Sequence, residues 1–192
     1  MKILIACEES QVVCKAFRAR GHEAYSCDVQ ECSGGRPEWH IQGDVRLLLN
    51  ERWDMMIAHP PCTYICRHRS RWNTETDIPD IQKGQSFFNE LWLSNIPKIC
   101  VENPVPSKVS GLYQSYTQII QPWQFGHDYS KKTCLWLKNL TELRPTKIVK
   151  ITYVTTKNGR RFTAGWYRTP RNSKARSKTF PGIAEAMADQ WG

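Results

Sequence analysis

Trp53-Asp54-Met55-Met56-Ile57-Ala58-His59-Pro60-Pro61-Cys62-Thr63-Tyr64-Ile65-Cys66 is the stretch whose reading decides the fold. Its apolar run, Met55–Ala58, has the length of one buried strand. His59-Pro60-Pro61 stops that run, because two prolines can neither pair inside a sheet nor open an ordinary helical turn. Cys62 follows at once. In open α/β sheets the carboxyl ends of the strands are where ligands bind, and a stiff Pro-Pro loop holds a thiol there at little entropic cost. The competing reading is a buried cysteine that only packs, as most intracellular cysteines do.

Working outward, 192 residues suit one core with at most a small appendage. A hydrophobic share of 40% with eight tryptophans can build that core. No apolar run reaches the length of a membrane span, and the amino terminus lacks a signal-peptide pattern, so a cytoplasmic protein is expected. The eight cysteines form no disulfide framework and read as reduced thiols.

Strand and helix patterns alternate around the central run. Lys2–Ala6 reads as a strand, and residues 12–20 as a helix stopped by Gly21. Residues 23–27 form a second strand closing on Asp28, and Gly43-Asp44-Val45 follows a polar loop. Ile78–Leu93 has a helical rhythm; residues 98–101 form a strand that ends at Glu102-Asn103-Pro104. Thr133–Lys138 is a further strand and residues 183–190 a closing helix. Such alternation predicts a parallel sheet flanked by helices. Asp28, Asp44 and Glu102 then all fall at strand ends facing one crevice. An acid after the second strand suits ribose hydroxyls and Asp44 suits an adenine amino group, against the plainer reading of each as a loop or capping residue.

The net charge of +9 implies a polyanionic partner. Eleven Lys and Arg lie between positions 144 and 178, with no Asp or Glu from Leu143 to Ala184. Phe162, Trp166 and Tyr167 are interleaved with them, the mixture a nucleic-acid surface needs. Mutual repulsion predicts a segment that is mobile until a polyanion arrives. A solvated basic loop is the alternative.

These residues carry a family resemblance. Pro60-Pro61-Cys62 after one strand and Glu102-Asn103-Pro104 after a later one resemble, in order and placement, the nucleophile and acid motifs of DNA (cytosine-5) methyltransferases. More narrowly, HPPCTY (59–64), VENP (101–104), QPWQFG (121–126), TCLWL (133–137) and SKTFPGIAEAMADQW (177–191) are similar to small phage and prophage cytosine methyltransferase-like proteins without a large target-recognition domain. The resemblance implies a Rossmann-like S-adenosylmethionine-dependent sheet over residues 1–142. A basic substrate-binding segment would follow at 143–180, and a helix packed on the catalytic unit at 181–192. It implies a cofactor site of Glu8, Glu9, Asp28, Val29, Asp44, Val45 and Pro60, and catalysis by Cys62, Glu102 and Asn103. Substrate binding would come from Pro61, Lys131, Arg160, Arg161, Arg168, Arg171 and Trp166. A phage-encoded protein of this kind would work in the cytoplasm of its bacterial host. Three features depart from the family pattern. Residues 6–11 hold no glycine, the Gln-x-Arg-x-Arg element keeps only Lys131, and little chain follows Thr133–Lys138.

The chemistry implied is covalent catalysis. Cys62 attacks carbon-6 of cytosine and makes carbon-5 nucleophilic toward a methyl sulfonium, while a Glu102 carboxyl held protonated by burial donates to ring nitrogen 3. Asn103 orients the loop or binds the base edge. The substrate is a base flipped from DNA, a single strand or a free cytosine nucleotide. Alternatives kept open are a pyrimidine-nucleotide enzyme with the same Cys/Glu pair, one using another one-carbon donor, and an idle nucleic-acid-binding protein. The Cys62-x-x-x-Cys66-x-His68 array, and Cys27 and Cys32 with His22 and His40, hold metal-ligand types without closed four-ligand spacing, so no metal is expected.

Overall fold

The computed structural model describes residues 1–67, 74–107, 111–112 and 114–192, with only the backbone of Ser173 and Lys174. Nine strands lie among them: β1 (Lys2–Ala6), β2 (Glu23–Asp28), β3 (His40–Gln42), β4 (Met55–Ala58), β5 (Lys98–Pro104), β6 (Gln118–Ile120), β7 (Thr133–Lys138), β8 (Tyr153–Thr155) and β9 (Arg161–Thr163). The α-helices are α1 (Val12–Arg18), α2 (Ile78–Leu93), α3 (Ala164–Arg168), α4 (Ser173–Ser177) and α5 (Pro181–Trp191).

Seven strands make one sheet in the order β3-β2-β1-β4-β5-β7-β6. The pairs β3-β2, β2-β1, β1-β4 and β4-β5 are parallel, and β7 runs antiparallel to both neighbours. The chain leaves β1 toward β2 and β3 and returns on its other side as β4, so the strand order reverses at β1/β4. Such a reversal opens a crevice at the carboxyl ends of the strands.

Period-two alternation divides the core. Ile3, Ile5, Met55 and Ile57 face α1 and α5, whereas Leu4, Ala6, Met56 and Ala58 face α2 and Trp136. Strands buried on both faces read as the continuous apolar runs seen in the sequence. On one side α1 contributes Val13 and Phe17, and α5 contributes Ile183, Ala184, Met187 and Trp191, at helical spacing. The turn after α1 is also joined to α5 by an Arg20–Asp189 ion pair. On the other side Phe88 of α2 meets Trp136 edge-on at 4.9 Å. α5 starts close against the preceding chain. Gly182 N donates to His127 Nε2 at 3.0 Å, and a Cβ on Gly182 would collide with the Phe125 carbonyl oxygen.

The second strand runs one residue past its expected end, to Asp28, and the closing helix spans Pro181–Trp191 rather than 183–190; two further boundaries differ for visible reasons. α1 ends at Arg18, and Gly21 takes a left-handed φ of 81° in the turn beyond it. β5 does not end before Glu102-Asn103-Pro104. It continues through them because β7 keeps pairing there, Glu102 opposite Leu135 and Asn103 opposite Cys134. The basic stretch, expected to lack structure of its own, holds the β8–β9 hairpin, α3 and α4. Among the described residues no helix is long and apolar enough to cross a membrane.

Candidate active site at the carboxyl edge of the sheet

Register alone brings the first residues of the site together. Ala6 pairs with Cys27 and with Ala58, and Ala58 pairs with Val101. One residue further along each strand come Cys7, Asp28, His59 and Glu102. Four distant parts of the sequence thus form one row, and two adjoining cavities open along it.

The larger cavity, about 580 Å³, is lined by Asp28, Val29, Asp44 and Val45 together with Cys7, Glu9, His59 and Pro61. That volume lies in the range of small-molecule sites. Asp28 Oδ1 accepts from Gln30 N at 2.9 Å, and Val29 stands 70% exposed at the rim. Asp44 accepts from Arg46 N at 3.0 Å and from its guanidinium at 3.2 Å. Those hydrogen bonds, the backbone one foremost, hold its carboxyl below the usual range.

The loop after β1 forms one wall and achieves without glycine what glycine ordinarily allows. Cys7 and Gln11 take left-handed φ angles of 58° and 57°, which cost a non-glycine residue about 1–2 kcal/mol each. What holds them is visible. The Gln11 side chain, fully buried, donates to Arg36 O at 2.8 Å and accepts from Arg36 N at 3.1 Å, with Gly34 packed against it. Glu8, expected at the cofactor, places both carboxylate oxygens on the amino end of α1, accepting from Val13 N at 2.7 Å and Cys14 N at 3.1 Å. Burial, and after it the charge of Asp28, push the Cys7 thiol up to about 12.

The smaller cavity, about 290 Å³, is lined by Cys62, Glu102, Asn103, Lys131 and the strap Ser177-Lys178-Thr179. It shares Cys7, Glu9, His59, Pro61 and Ser177 with the larger one. Pro60, expected on the cofactor side, lines only this smaller cavity, whereas Pro61 lines both. The loops after β4 and β5 are stitched to each other: Asn103 Nδ2 donates to Pro60 O at 3.3 Å, Arg67 N to Val105 O at 2.8 Å and Ser107 N to Ile65 O at 2.9 Å. Those bonds hold Cys62 and Glu102 on one cavity.

The electrostatics correct one expectation. Burial does push the Glu102 carboxyl up, but it is outweighed by the hydrogen bond from His59, the charges of Lys131 and His59, and the Thr133 hydroxyl. Its pKa is lowered, and the group rests as a carboxylate. His59 Nδ1 lies 3.4 Å from Glu102 Oε2. Burial disfavours its charge, yet Glu102, with Glu8 behind it, raises its pKa. The Cys62 thiol is driven well up, by its hydrogen bond with Cys66 first, then by burial and the charges of Cys66 and Glu102. Cys62 therefore rests as a thiol whose proton must leave when the sulfur reacts.

Apart from its end at Ser177 and Lys178, the basic segment stands outside both cavities. Arg160, Arg161, Arg168 and Arg171 are exposed. Trp166 stacks on Phe162 at 4.6 Å and 10°, with the Arg176 guanidinium 4.2 Å over its ring, and Arg161 lies 3.9 Å over Tyr153. Spreading cations over aromatic faces is how the segment holds a fold despite its charge. Trp166 is thus already stacked, while Tyr167 is 45% exposed. The segment reaches the site through its end: Lys131 Nζ donates to Arg176 O at 3.2 Å and Lys178 Nζ to Ser33 Oγ at 3.2 Å. His59, the Gln11 clamp and the 177–179 strap were not among the residues singled out from sequence. They become visible only once the strands are in register.

None of the eight cysteines is in a disulfide. Among the described residues no group of three or more His, Cys, Asp or Glu gathers as for a metal ion, and His68 of the Cys62/Cys66 array lies outside them.

No protein-family model matches the sequence, and no curated protein is similar to it. One solved structure of similar fold is that of a candidate DNA modification methyltransferase encoded within a prophage of E. coli. It matches with a TM-score of 0.50 at 15% identity, over 79% of this chain and 53% of that one. The chain thus spans about half the length of that protein. What the likeness shows is the fold alone: a mostly parallel seven-stranded sheet with flanking helices.

Proposed function

We propose that this chain is an S-adenosylmethionine-dependent methyltransferase that acts on carbon-5 of cytosine in DNA through a covalent adduct at Cys62. Residues 1–142 form its Rossmann-like catalytic unit, 143–180 its substrate-binding segment and 181–192 a helix packed on that unit. The observation that carries this reading is the pair of adjoining cavities, one walled by strand-end carboxylates and the other by Cys62, Glu102 and Lys131. The larger cavity fits the cofactor: Asp28 stands where ribose hydroxyls would be bound, Asp44 and Val45 where adenine would lie, and exposed Val29 offers an apolar face to a ring. When bound, the cofactor supplies an electrophilic methyl group. The protein does the rest. Asn103 fixes the Pro60 carbonyl and with it the Cys62 loop, Lys131 and His59 hold Glu102 ionised, and the narrow smaller cavity excludes water from a single extruded base. Exposed Arg160, Arg161, Arg168 and Arg171 favour a polymer over a free nucleotide, because phosphates beyond the reacting base are needed to engage them.

The test is covalent trapping on DNA containing 5-fluorocytosine. Fluorine cannot leave carbon-5 as a proton does, so an enzyme of this mechanism stays attached after methyl transfer. Wild-type protein with S-adenosylmethionine should form an adduct that survives denaturation. Cys62→Ser should form none while binding the cofactor as before. An adduct formed equally by the serine variant would remove Cys62 from the chemistry.

A further inference from the structure

His59 lies in the wall shared by the two cavities, and the reading from sequence assigned it no part beyond ending a strand. Its backbone N–H donates to Ala6 O at 2.9 Å, which ties it to β1, and register sets it beside Glu102. Its ring is nearly buried, Nδ1 faces Glu102 Oε2 at 3.4 Å, and Nε2 is buried with no hydrogen-bond partner among the described residues. The charged groups that face it are Glu102 from β5, Glu8 from the loop after β1, and Lys131 from the turn before β7. A buried ring in this position would be expected to be neutral. The hydrogen bond and charge of Glu102, with Glu8 behind it, outweigh burial and Lys131 and raise the ring's pKa, although burial raises the Glu8 carboxyl as well.

We propose that His59 is a positioning residue for the covalent step: it keeps Glu102 a carboxylate beside Cys62, so that Glu102 can take the thiol proton and deliver it to ring nitrogen 3 of the base. The proposal rests on the cytosine reading above. The addition closes with Glu102 as the one acid and base. The S–H bond breaks and the proton passes to the Glu102 carboxylate. Sulfur forms a bond to carbon-6, and the carbon-5/carbon-6 π pair moves to carbon-4/carbon-5. The carbon-4/nitrogen-3 pair settles on nitrogen 3, which takes the proton from Glu102. After methylation a solvent water takes the carbon-5 proton, the C–H pair forms the carbon-5/carbon-6 double bond, and the sulfur leaves carbon-6 and takes back, through Glu102, the proton held on nitrogen 3. A Glu102 that burial kept protonated could donate to nitrogen 3 but could not accept from Cys62, and this thiol is held too strongly protonated to ionise unaided. Lys131 helps from the opposite side, but it also donates to Arg176 O. His59 has Glu102 as its only hydrogen-bonded side-chain partner among the described residues.

The test has one arm that needs no substrate and one that does. In full-length protein with isotopically labelled histidine, the His59 ring should titrate above the ordinary value of about 6.5, and Glu102→Gln should bring it below. A His59 that titrates at or below that ordinary value in the wild type, or that ignores Glu102→Gln, overturns the proposal. In the second arm, His59→Asn keeps a donor near the Nδ1 position without a charge. Adduct formation on 5-fluorocytosine DNA should slow by at least about tenfold at neutral pH. The acid limb of its pH profile should also shift upward, because Glu102 without a cation is harder to ionise, while the concentration of DNA needed for half-saturation stays put. An unmoved acid limb in a variant that still forms adduct overturns the role of His59 and leaves the cytosine reading standing. No adduct even from wild type overturns that reading and this step with it. The histidine titration distinguishes this from a misfolded preparation.

Discussion

The carboxyl edge of the sheet and the basic segment are built on opposite plans. At the edge, Cys7, Asp28, His59 and Glu102 come from four strands and meet only because Ala6, Cys27, Ala58 and Val101 are in register. The segment from 144 to 178 is held by neighbours in sequence: Phe162 on Trp166, Arg161 on Tyr153, Asn172 capping Ala175 N at 2.7 Å. The first plan gives fixed distances between unlike groups, which chemistry requires. The second gives a surface of like charges that needs no particular distance from any of them, and this suits a backbone of phosphates. On the proposed function, position is specified where bonds would change, and charge alone where a polymer would be gripped.

That contrast can be broken by experiment. The largest effect is expected at the edge: Asp28→Ala should weaken S-adenosylmethionine binding by about 1–3 kcal/mol in calorimetry, the cost of a missing buried hydrogen bond. Asp44→Ala should cost less, since Arg46 already occupies that carboxylate. Neither should alter how DNA affinity depends on salt. Neutralising Arg160 and Arg161 together should do the reverse, lowering the slope of log affinity against log salt by about 0.7–0.9 for each phosphate no longer engaged and leaving cofactor affinity alone. An unchanged slope would reduce the segment to a solvated loop. The smallest effect is expected for Cys7→Gly. Relief of left-handed strain, less the extra freedom glycine has in the unfolded chain, should stabilise the protein by about 0.5–1 kcal/mol in a denaturant titration. A loss of stability instead would show that the Cys7 side chain, not the loop's shape, is what the fold needs.

How much of this was legible in the sequence follows the same division. Strands buried on both faces are continuous apolar runs, so β1, β4 and β7 could be read directly, and α2 has the bounds its periodicity suggested. β3 could not, because His40-Ile41-Gln42 is too short and polar to carry a pattern. The β8–β9 hairpin did have a signal that went unread: Asn158-Gly159 between Tyr153-Val154-Thr155 and Arg161-Phe162-Thr163, with Gly159 at φ 75° and Thr156 N donating to Arg160 O at 2.8 Å. The density of charge hid it. At the site, Cys62 and Glu102 were legible as residues, but the ionisation of Glu102 was not. Burial alone argued for a neutral acid, and the groups that reverse it, His59, Lys131 and Thr133, come from three other places in the chain.

The turn from Trp123 to Asp128 has a consequence of another sort. The backbone hydrogen bonds that tie residues 146–165 to earlier parts of the chain all end on it: Thr146 and Lys147 on Gln124, Val149 on Trp123, Gly126 on Lys147 and Gly165 on Asp128. The Asp128 carboxylate adds Thr152 N at 2.7 Å, and His127 receives Gly182 N where α5 begins. A part fastened at a single bracket can be exchanged at that bracket. The stretch from 146 to 165 is thus a natural cassette, replaceable by a differently charged insert while the sheet and the strap that walls its crevice keep their own supports.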